Sequence, residues 1–496
     1  MLLPWKSTPR PRKSKTKPSA ASDRSYRVVR ARFDAAQTTD ENRRHWANAD
    51  LLSPDAAASM DVRSILRSRA RYEVANNSYA RGIVLTLAND TIGTGPRLQM
   101  LTADPAANAA VEQAFMRWMR DVGLAEKLRT MRMARAESGE AFAILTRNPN
   151  LPGNVQLEVR LVEADQVTTP PSRRPFTDDA VDGIEYDRFG NPTHYHILKQ
   201  HPGASTLMGA YSGGGGEYDR VPGDSVVHLY RAERPGQSRG IPELTPALPL
   251  FAQLRRYRLA VLAAAETAAD FALALYTDAP PNGEPDPVEA MDVFELEARM
   301  ATTLPQGWKL GQVKAEHPST NHVEFVKSIL AEIARCLNMP FNVAAGNSSG
   351  YNYASGRLDH QTYYKAIRVD QSHIAMSVLD PIFRGWLNEA ILVSDLLPVW
   401  LRTADFGALE HQWFWDGNEH VDPAKEANAQ ATRLSSHTTT LANEYAKQGR
   451  DWETELRQRA KEVALVRELG LTAPGIEEEQ GTHVAPTPGM EEEDDA

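Results

Sequence analysis

A single cysteine, Cys336, stands among 496 residues. No intrachain disulfide and no cysteine-based zinc site can therefore form, which fits folding in a reducing, cytoplasmic setting. Long apolar runs are also missing. The most apolar long stretch, residues 259–276, is interrupted by Glu266 and Asp270; both charges would sit inside a bilayer core, so no membrane partner is expected. Residues 1–17 are basic and Pro/Ser-rich without an apolar segment before a cleavage site, so no secretion signal is expected either. Positive charge is in deficit, with 55 Lys and Arg against 65 Asp and Glu and a net charge of −10, which argues against a protein that grips nucleic acid tightly. Finally, no Gly-Lys dipeptide occurs, so there is no Walker A loop of the usual form to cradle ATP phosphates.

What is present is a globular balance. Hydrophobic residues make up 42% and charged residues 24%, enough to bury a core over most of the chain. Charge is segregated at the two ends. Residues 1–30 carry nine Lys/Arg against Asp23 alone, and eight acids from Glu477 onward face no Lys or Arg. These read as a basic flexible arm and a disordered acidic tail.

Between the ends the period of the apolar residues changes. Residues 61–89 read as helical, with Asp61 as candidate N-cap and a break at Asn76-Asn77; further helices follow from Pro105 and around Leu128. Val155, Leu157, Val159 and Leu161 then alternate with Gln156, Glu158 and Arg160, the signature of a half-buried strand. Phe189-Gly190-Asn191-Pro192 separates two short strand-like runs at 184–186 and 194–197, which predicts a hairpin. Gly213 to Gly216 mark a flexible loop, and residues 226–230 a further strand. This first block is α+β.

Beyond Leu250 the texture is helical. Leu254, Tyr257, Val261, Ala265, Ala268, Ala272 and Leu275 recur at three- and four-residue steps along one predicted helix, and eight of the seventeen residues 259–275 are alanine. Such a rod suits close packing against neighbouring rods. Arg255, Arg256 and Arg258 toward one end and Glu266 and Asp270 toward the other would place rings of charge in an assembly. A Pro-rich excursion at 277–321, with a short helix near 293–300, precedes a second helix striped by Val326, Ile329, Leu330, Ile333 and Leu337 and ended by Met339-Pro340. An uncharged polar loop covers 341–352. A third long helix starts near Ser355 and is expected to bend at Asp380-Pro381, followed by a strand-like run near Ile391, a loop at 416–422 and a helical remainder to about Leu469.

Several local patterns carry possible chemistry. Gly346-Asn347-Ser348-Ser349-Gly350 matches G-x-S-x-G, but a nucleophile elbow needs a strand before the serine and a helix straight after it. Here Pro340 ends a helix upstream, so an esterase using Ser348 is the lesser alternative. His194 and His196 share one side of a predicted strand without a third clustered metal ligand. Gly93-Thr94-Gly95 reads as a turn rather than a dinucleotide loop. Glu137, Glu140, Glu163 and Asp165 could be paired carboxylates, with surface or interface polarity the preferred reading. No catalytic residue, cofactor or metal is expected. A monomeric DNA-binding adaptor using the basic arm is a second alternative.

Four stretches resemble the lambda-type family of phage portal proteins: residues 76–81 (Asn-Asn-Ser-Tyr-Ala-Arg) with Gly93-Thr94-Gly95; residues 234–242 (Arg-Pro-Gly-Gln-Ser-Arg-Gly-Ile-Pro); Asn338-Met339-Pro340; and residues 352–357 (Asn-Tyr-Ala-Ser-Gly-Arg), which differ slightly from the family's Asn-Tyr-Ser-Ser-Ala-Arg. The resemblance implies an α+β, predominantly helical fold with wing, stem, clip and crown, assembling as a homododecameric ring. Its parts would be a basic arm (1–57), a wing (58–242), stem helices (243–276 and 322–340) flanking a clip (277–321), a tunnel loop (341–352), a long bent helix returning to the wing (353–400), a crown-like region (401–470) and the tail (471–496). It further implies a place at one vertex of the virion capsid after assembly in the host cytoplasm. The expected partners are the terminase large subunit, head-completion and tail adaptor proteins, the major capsid or scaffold protein, and double-stranded DNA passing non-specifically. Asn342, Asn347, Ser348, Ser349, Tyr351 and Asn352 would face that DNA. An uncharged loop suits the task, since a ring of lysines making on the order of ten phosphate contacts would trap duplex DNA.

Overall fold

The computed structural model describes residues 36, 39–170, 180–204, 217–270, 273–277, 308–312, 321–417 and 423–470. The glycine loop at 213–216, the short helix expected at 293–300, most of the basic arm and the acidic tail lie outside them. The chain forms two compact units, Met1–Ser53 and Pro54–Ala496. In the first, Thr39 and Asn42 close a turn on each other: the Thr39 N–H donates to Asn42 Oδ1 at 2.8 Å and the Asn42 N–H to Thr39 Oγ1 at 3.3 Å.

The second unit opens with α1 (Pro54–Ala57), α2 (Met60–Asn76) and α3 (Ser78–Ile92). The break falls at Asn77, which turns extended and caps α3 by accepting the Tyr79 N–H at 3.1 Å. The start of α2 differs from expectation: Ser59 is its N-cap, and Asp61 sits in the first turn, where a negative charge complements the helix dipole. Helix α3 stops at Gly93, φ 57°, where a Cβ would lie 2.1 Å from Asp416 Oδ2; Thr94 Oγ1 donates to the other Asp416 oxygen at 2.8 Å. That contact fixes the Gly-Thr-Gly turn ahead of β1 (Arg97–Met100). Asp104 and Pro105 start α4 (Pro105–Asp121), and α5 (Leu124–Ser138) ends on Gly139, φ 90°.

Strand β2 (Glu140–Arg147) follows at once, and its first five residues are buried. It is the centre of an antiparallel sheet, with β3 (Leu157–Val162) on one edge and β8 (Val226–Tyr230) on the other. A second sheet runs β4 (Ala180–Val181), β5 (Ile184–Tyr186), β6 (Pro192–Leu198), β7 (Tyr218–Pro222) in sequential order. The expected hairpin joins β5 and β6, its turn held by Asp187 Oδ1, which accepts the Phe189 and Asn191 N–H groups at 2.8 Å each.

Helix α6 (Leu248–Asp270) and helix α7 (Asn321–Cys336) form an antiparallel pair. Tyr257 stacks on His322 at 5.3 Å between ring centres, while Cys336, at the far end of α7, donates to the carbonyl of Glu243 just before α6. The α7 stripe buries Ile329, Leu330 and Ile333 as its spacing predicts, each contributing about 2 kcal/mol. One expectation fails here. The α6 helix ends at Asp270, and β9 (Leu273–Thr277) pairs antiparallel with β10 (Trp308–Gln312). The run Ala272-Leu273-Ala274-Leu275 satisfies both periods, and the partner strand decides between them.

Helix α8 (Phe341–Ala345) and helix α9 (Tyr353–Ile374) follow, then a π-helical turn over Ala375–Leu379 and α10 (Asp380–Ala390). The irregularity falls where the sequence places it, since Pro381 has no N–H to offer the carbonyl of Ser377. The strand-like run near Ile391 is a turn instead. Ile391, Leu392 and Val393 spend their N–H groups on the carbonyls of Leu387, Glu389 and Ala390, closing α10. The strand of this region is β11 (His411–Phe414), antiparallel to β1. Helices α11 (Pro423–Ser435), α12 (Leu441–Lys447) and α13 (Trp452–Glu468) complete the described residues.

The largest core lies between the β2 sheet, α4, α5 and α10. Phe115 is its aromatic hub, 5.0 Å from Trp386, 5.3 Å from Trp118 and 5.3 Å from Phe383 between ring centres. We expect Phe115→Ala to cost about 3–5 kcal/mol, read as a lower urea midpoint. Gly82→Ala, at an open helical surface position with nothing within 4 Å of the new methyl, should instead stabilise by about 0.5–1 kcal/mol.

Candidate functional site

The uncharged segment after Pro340 is shorter as a loop than the sequence implies. Residues 341–345 are helix α8, and only 346–352 are loop. Asn342 is correspondingly corrected: it is buried, and its amide lies 3.1 Å from His360 Nε2, so it joins α8 to α9 instead of facing outward. The remaining loop is tightly wound. Gly346 and Gly350 both take left-handed φ, at 61° and 84°. Asn347 Oδ1 accepts the Ser349 N–H at 2.8 Å, the Tyr351 N–H donates to the Ser348 carbonyl at 3.2 Å, and Asn352 Oδ1 caps α9 by accepting the Ser355 N–H at 2.8 Å. Asn347, Ser348, Ser349 and Asn352 are exposed and Tyr351 is half-buried. With the asparagine oxygens engaged inside the loop, their NH₂ groups remain as outward donors. Ser348 follows a helix and an αL glycine, so the strand required by a nucleophile elbow is not before it.

The charges expected for a stem are distributed along α6. Arg255 lies over the Tyr72 ring of α2 at 5.4 Å, Arg256, Arg258 and Glu266 are exposed, and Asp270 is the last helical residue. Behind stem and loop lie two buried ion clusters that local sequence patterns did not disclose. The first centres on Glu140, which is fully buried rather than at a surface or interface as expected. Its carboxylate accepts from Arg239 Nη2 at 2.7 Å and Nε at 2.9 Å, from the Gly240 N–H at 3.1 Å and from Arg67, and lies 3.0 Å from His228 Nε2. Arg239 also donates to the carbonyls of Val167 and Asp182 and pairs with the Asp182 carboxylate, which Arg63 shares. Burial alone would raise the Glu140 pKa, but the charge of Arg239, the His228 hydrogen bond and Arg67 hold it well below the usual range.

The second cluster centres on Glu243, at the entry to α6. Arg132 and Arg135 of α5 donate to it at 3.0 Å each, and both also pair with Asp370 of α9, Arg132 at 2.7 Å. Against the effect of burial, Arg132, Arg135 and Arg231 hold Glu243 at about 2. A strap of five residues, Arg239 to Glu243, thus carries one end of each cluster. It runs hard against the end of α5: a Cβ on Gly240 would lie 2.1 Å from the Gly139 carbonyl oxygen, and one on Gly139 would lie 2.4 Å from the Ile241 carbonyl carbon. The first four strap residues close the Arg-Pro-Gly-Gln-Ser-Arg-Gly-Ile-Pro stretch, and the geometry accounts for Arg239 and Gly240 in it.

The other candidate groups pair with protein cations. His196 lies 2.6 Å from Glu185, and Arg220 lies 2.7 Å from Glu185 and 2.9 Å from His194. Glu163, Asp165 and His201 bring ligand atoms within 4.8 Å of one another, but Arg71 already stands 2.8 Å from Asp165 and Arg67 3.2 Å from it. Burial raises the Glu137 pKa above the ordinary carboxylate value, against the lowering effect of Arg71.

The profile of the phage portal proteins, lambda family, matches residues 40–371. The chain belongs to that family. A probable portal protein of Halomonas phage phiHAP-1 is 26% identical over 510 residues, covering 96% of this chain and 95% of the relative. Among solved structures, the neck of a native gene transfer agent particle computed with C12 symmetry is similar at TM-score 0.45 and 16% identity, over 77% of this chain and 92% of that one. The neck of an empty gene transfer agent particle computed with C6 symmetry gives 0.47 and 14%, over 77% and 93%. The portal family is structural rather than enzymatic. No helix among the described residues is long and apolar enough to cross a membrane.

In this portal-family chain, Glu140→Gln should cost about 3–5 kcal/mol, because the buried Arg63, Arg67 and Arg239 are then left with only Asp165 and Asp182 to balance them. The pH dependence has a definite sign. Glu243 is held at about 2 in the folded chain against 4.5 ordinarily. The unfolded chain therefore binds the proton more readily, and the stabilisation, complete above pH 4.5, is lost as the pH falls toward 2. The gap between thermal melts of the wild type and Glu243→Gln should hold from pH 7 to about pH 5 and then narrow toward pH 3; a constant gap would contradict the assignment.

Proposed function

We propose that copies of this chain stand side by side as a dodecameric ring at one vertex of the capsid. The α6–α7 pair would form the stem wall and the loop at 346–352 the channel constriction, with double-stranded DNA passing through during packaging and ejection. The observation that carries the reading is the family match over residues 40–371. A structural feature supports it: the stem pair leaves apolar side chains uncovered, with Leu259 61%, Leu262 55%, Val323 58% and Phe325 46% exposed. Water contact on that scale is what a neighbouring stem would remove. The alanine-rich outer half of α6 allows such a neighbour to approach closely.

The same reading assigns the partners. The terminase large subunit would dock at the excursion between β9 and β10, and head-completion and tail adaptor proteins would attach to the assembled ring. The major capsid or scaffold protein would meet its periphery. Assembly would take place in the host cytoplasm and end in the virion. Asn347, Ser348, Ser349, Tyr351 and Asn352 would offer neutral, weak hydrogen bonds to passing phosphates, and the stem charges at Arg255, Arg256, Arg258, Glu266 and Asp270 would stack as rings.

Negative-stain electron microscopy of the purified full chain should show rings with a central channel; solid or monomeric particles would remove the basis of the reading. In a packaging assay, Asn347→Lys and Ser349→Lys should slow DNA entry while rings still form, because a ring of new cations holds phosphates. Wild-type packaging rates in both variants would count against the loop as the constriction.

A further inference from the structure

Helix α9 has three distinct faces. Tyr363, Ile367 and Ile374 are buried against the body, and Asp370 is turned to Arg132 and Arg135. Leu358 and Val369, each 66% exposed, form an apolar ridge. Between ridge and buried face runs a third strip in which Arg357, Gln361, Lys365, Arg368 and Ser372 follow at steps of four, four, three and four, all exposed. Those steps keep the five side chains on one side of the helix. The strip is of a single sign. Asp359, the other acid of α9, lies about 200° round the helix from Arg357. Among the described residues, none of the three cations has a carboxylate partner. In a chain with a net charge of −10, the strip is a patch of positive charge spread along more than three turns of one helix.

We propose that this strip is a track for the phosphates of duplex DNA, met by one copy at a time where the duplex leans against it and not as a closed ring of cations at the constriction, a reading that rests on the chain's role as a portal around DNA and adds a contact surface separate from the neutral loop. Three observations favour DNA over an acidic protein. The strip starts five residues beyond Asn352, the cap that joins α9 to the loop, so it continues the surface along which DNA would pass. From Arg357 to Arg368 the helix rises about 16 Å, a span over which duplex DNA presents about nine phosphate charges. Finally, the strip holds only cations and neutral hydrogen-bonding groups. A protein interface centres on apolar or aromatic anchors, and on this helix those stand on the neighbouring ridge, whereas DNA interfaces are polar and positive.

The test measures binding of a random-sequence DNA duplex to the full chain between 50 and 200 mM salt, with electron microscopy of the same samples. In the triple variant R357A/K365A/R368A, loss of three phosphate contacts from one engaged copy should lower the slope of log affinity against log salt by about 2.7, so that affinity falls about 40-fold less over that fourfold salt range. Rings should persist. The double variant R357K/R368K should keep the wild-type slope, since a phosphate track needs point charges and not the guanidinium fork. An unchanged slope in the triple variant overturns the proposal. So does loss of rings with DNA affinity retained, which would make the strip a contact between copies. Absence of rings in the wild type would instead count against the portal reading, and the slope comparison would still decide the track.

Discussion

The buried carboxylate of Glu140 sets the constraint on which the arrangement depends. A charge at zero exposure is tolerated only when donors surround it, and here two arginines, a histidine and a backbone N–H do so. The arginine fork is directional, so Arg239 can satisfy Glu140 and the carbonyls of Val167 and Asp182 in one orientation. That orientation fixes where the strap leaves the sheet. Four residues later Glu243 is met by Arg132 and Arg135, and α6 begins shortly after, at Leu248. The position of α6 relative to the β2 sheet is therefore determined by ion pairs at both ends of five residues.

The same logic reaches the loop. Asp370 shares Arg132 and Arg135 with Glu243, so α9 is fastened to the stem entry through the arginines of α5. Gln371 adds a hydrogen bond to the Thr91 carbonyl and His373 one to the Tyr230 carbonyl. Upstream, Tyr363 donates to Asp90 at 2.8 Å, and burial raises that carboxyl's pKa. Helix α9 is thus a bar fastened at several points, and its capped end carries the loop at 346–352. Charge and neutrality are divided along the bar: the loop is uncharged, and the cations begin only at Arg357.

Much of this was legible in the sequence wherever a local period decides structure. The α7 stripe, the β3 alternation, the Asn77 break and the β5–β6 hairpin all depend on residues within a turn or two of one another. Strand β2 escaped notice because Ala141 to Leu145 is a continuous apolar run with both faces buried, which has no period. The end of α6 was misplaced because leucine and alanine at alternate positions satisfy both periods. Asn342 was placed outside because it belongs to an uncharged run, yet helix α8 turns it toward His360. The two ion clusters were invisible for another reason: Glu140 and Arg239 are 99 positions apart and Arg135 and Glu243 108, so no window of sequence contains both partners. The visible traces were a glutamate directly after a helix-ending glycine and an arginine directly before another glycine.

The most direct measurement of this account is hydrogen exchange of the full chain, followed at the amides of residues 237–245. If the strap is locked, the Gly240 amide, which donates to Glu140, should exchange as slowly as those of the β2 strand. Exchange at the rate of an exposed loop would mean that the clusters do not hold the stem to the sheet, and the account would be wrong at its base.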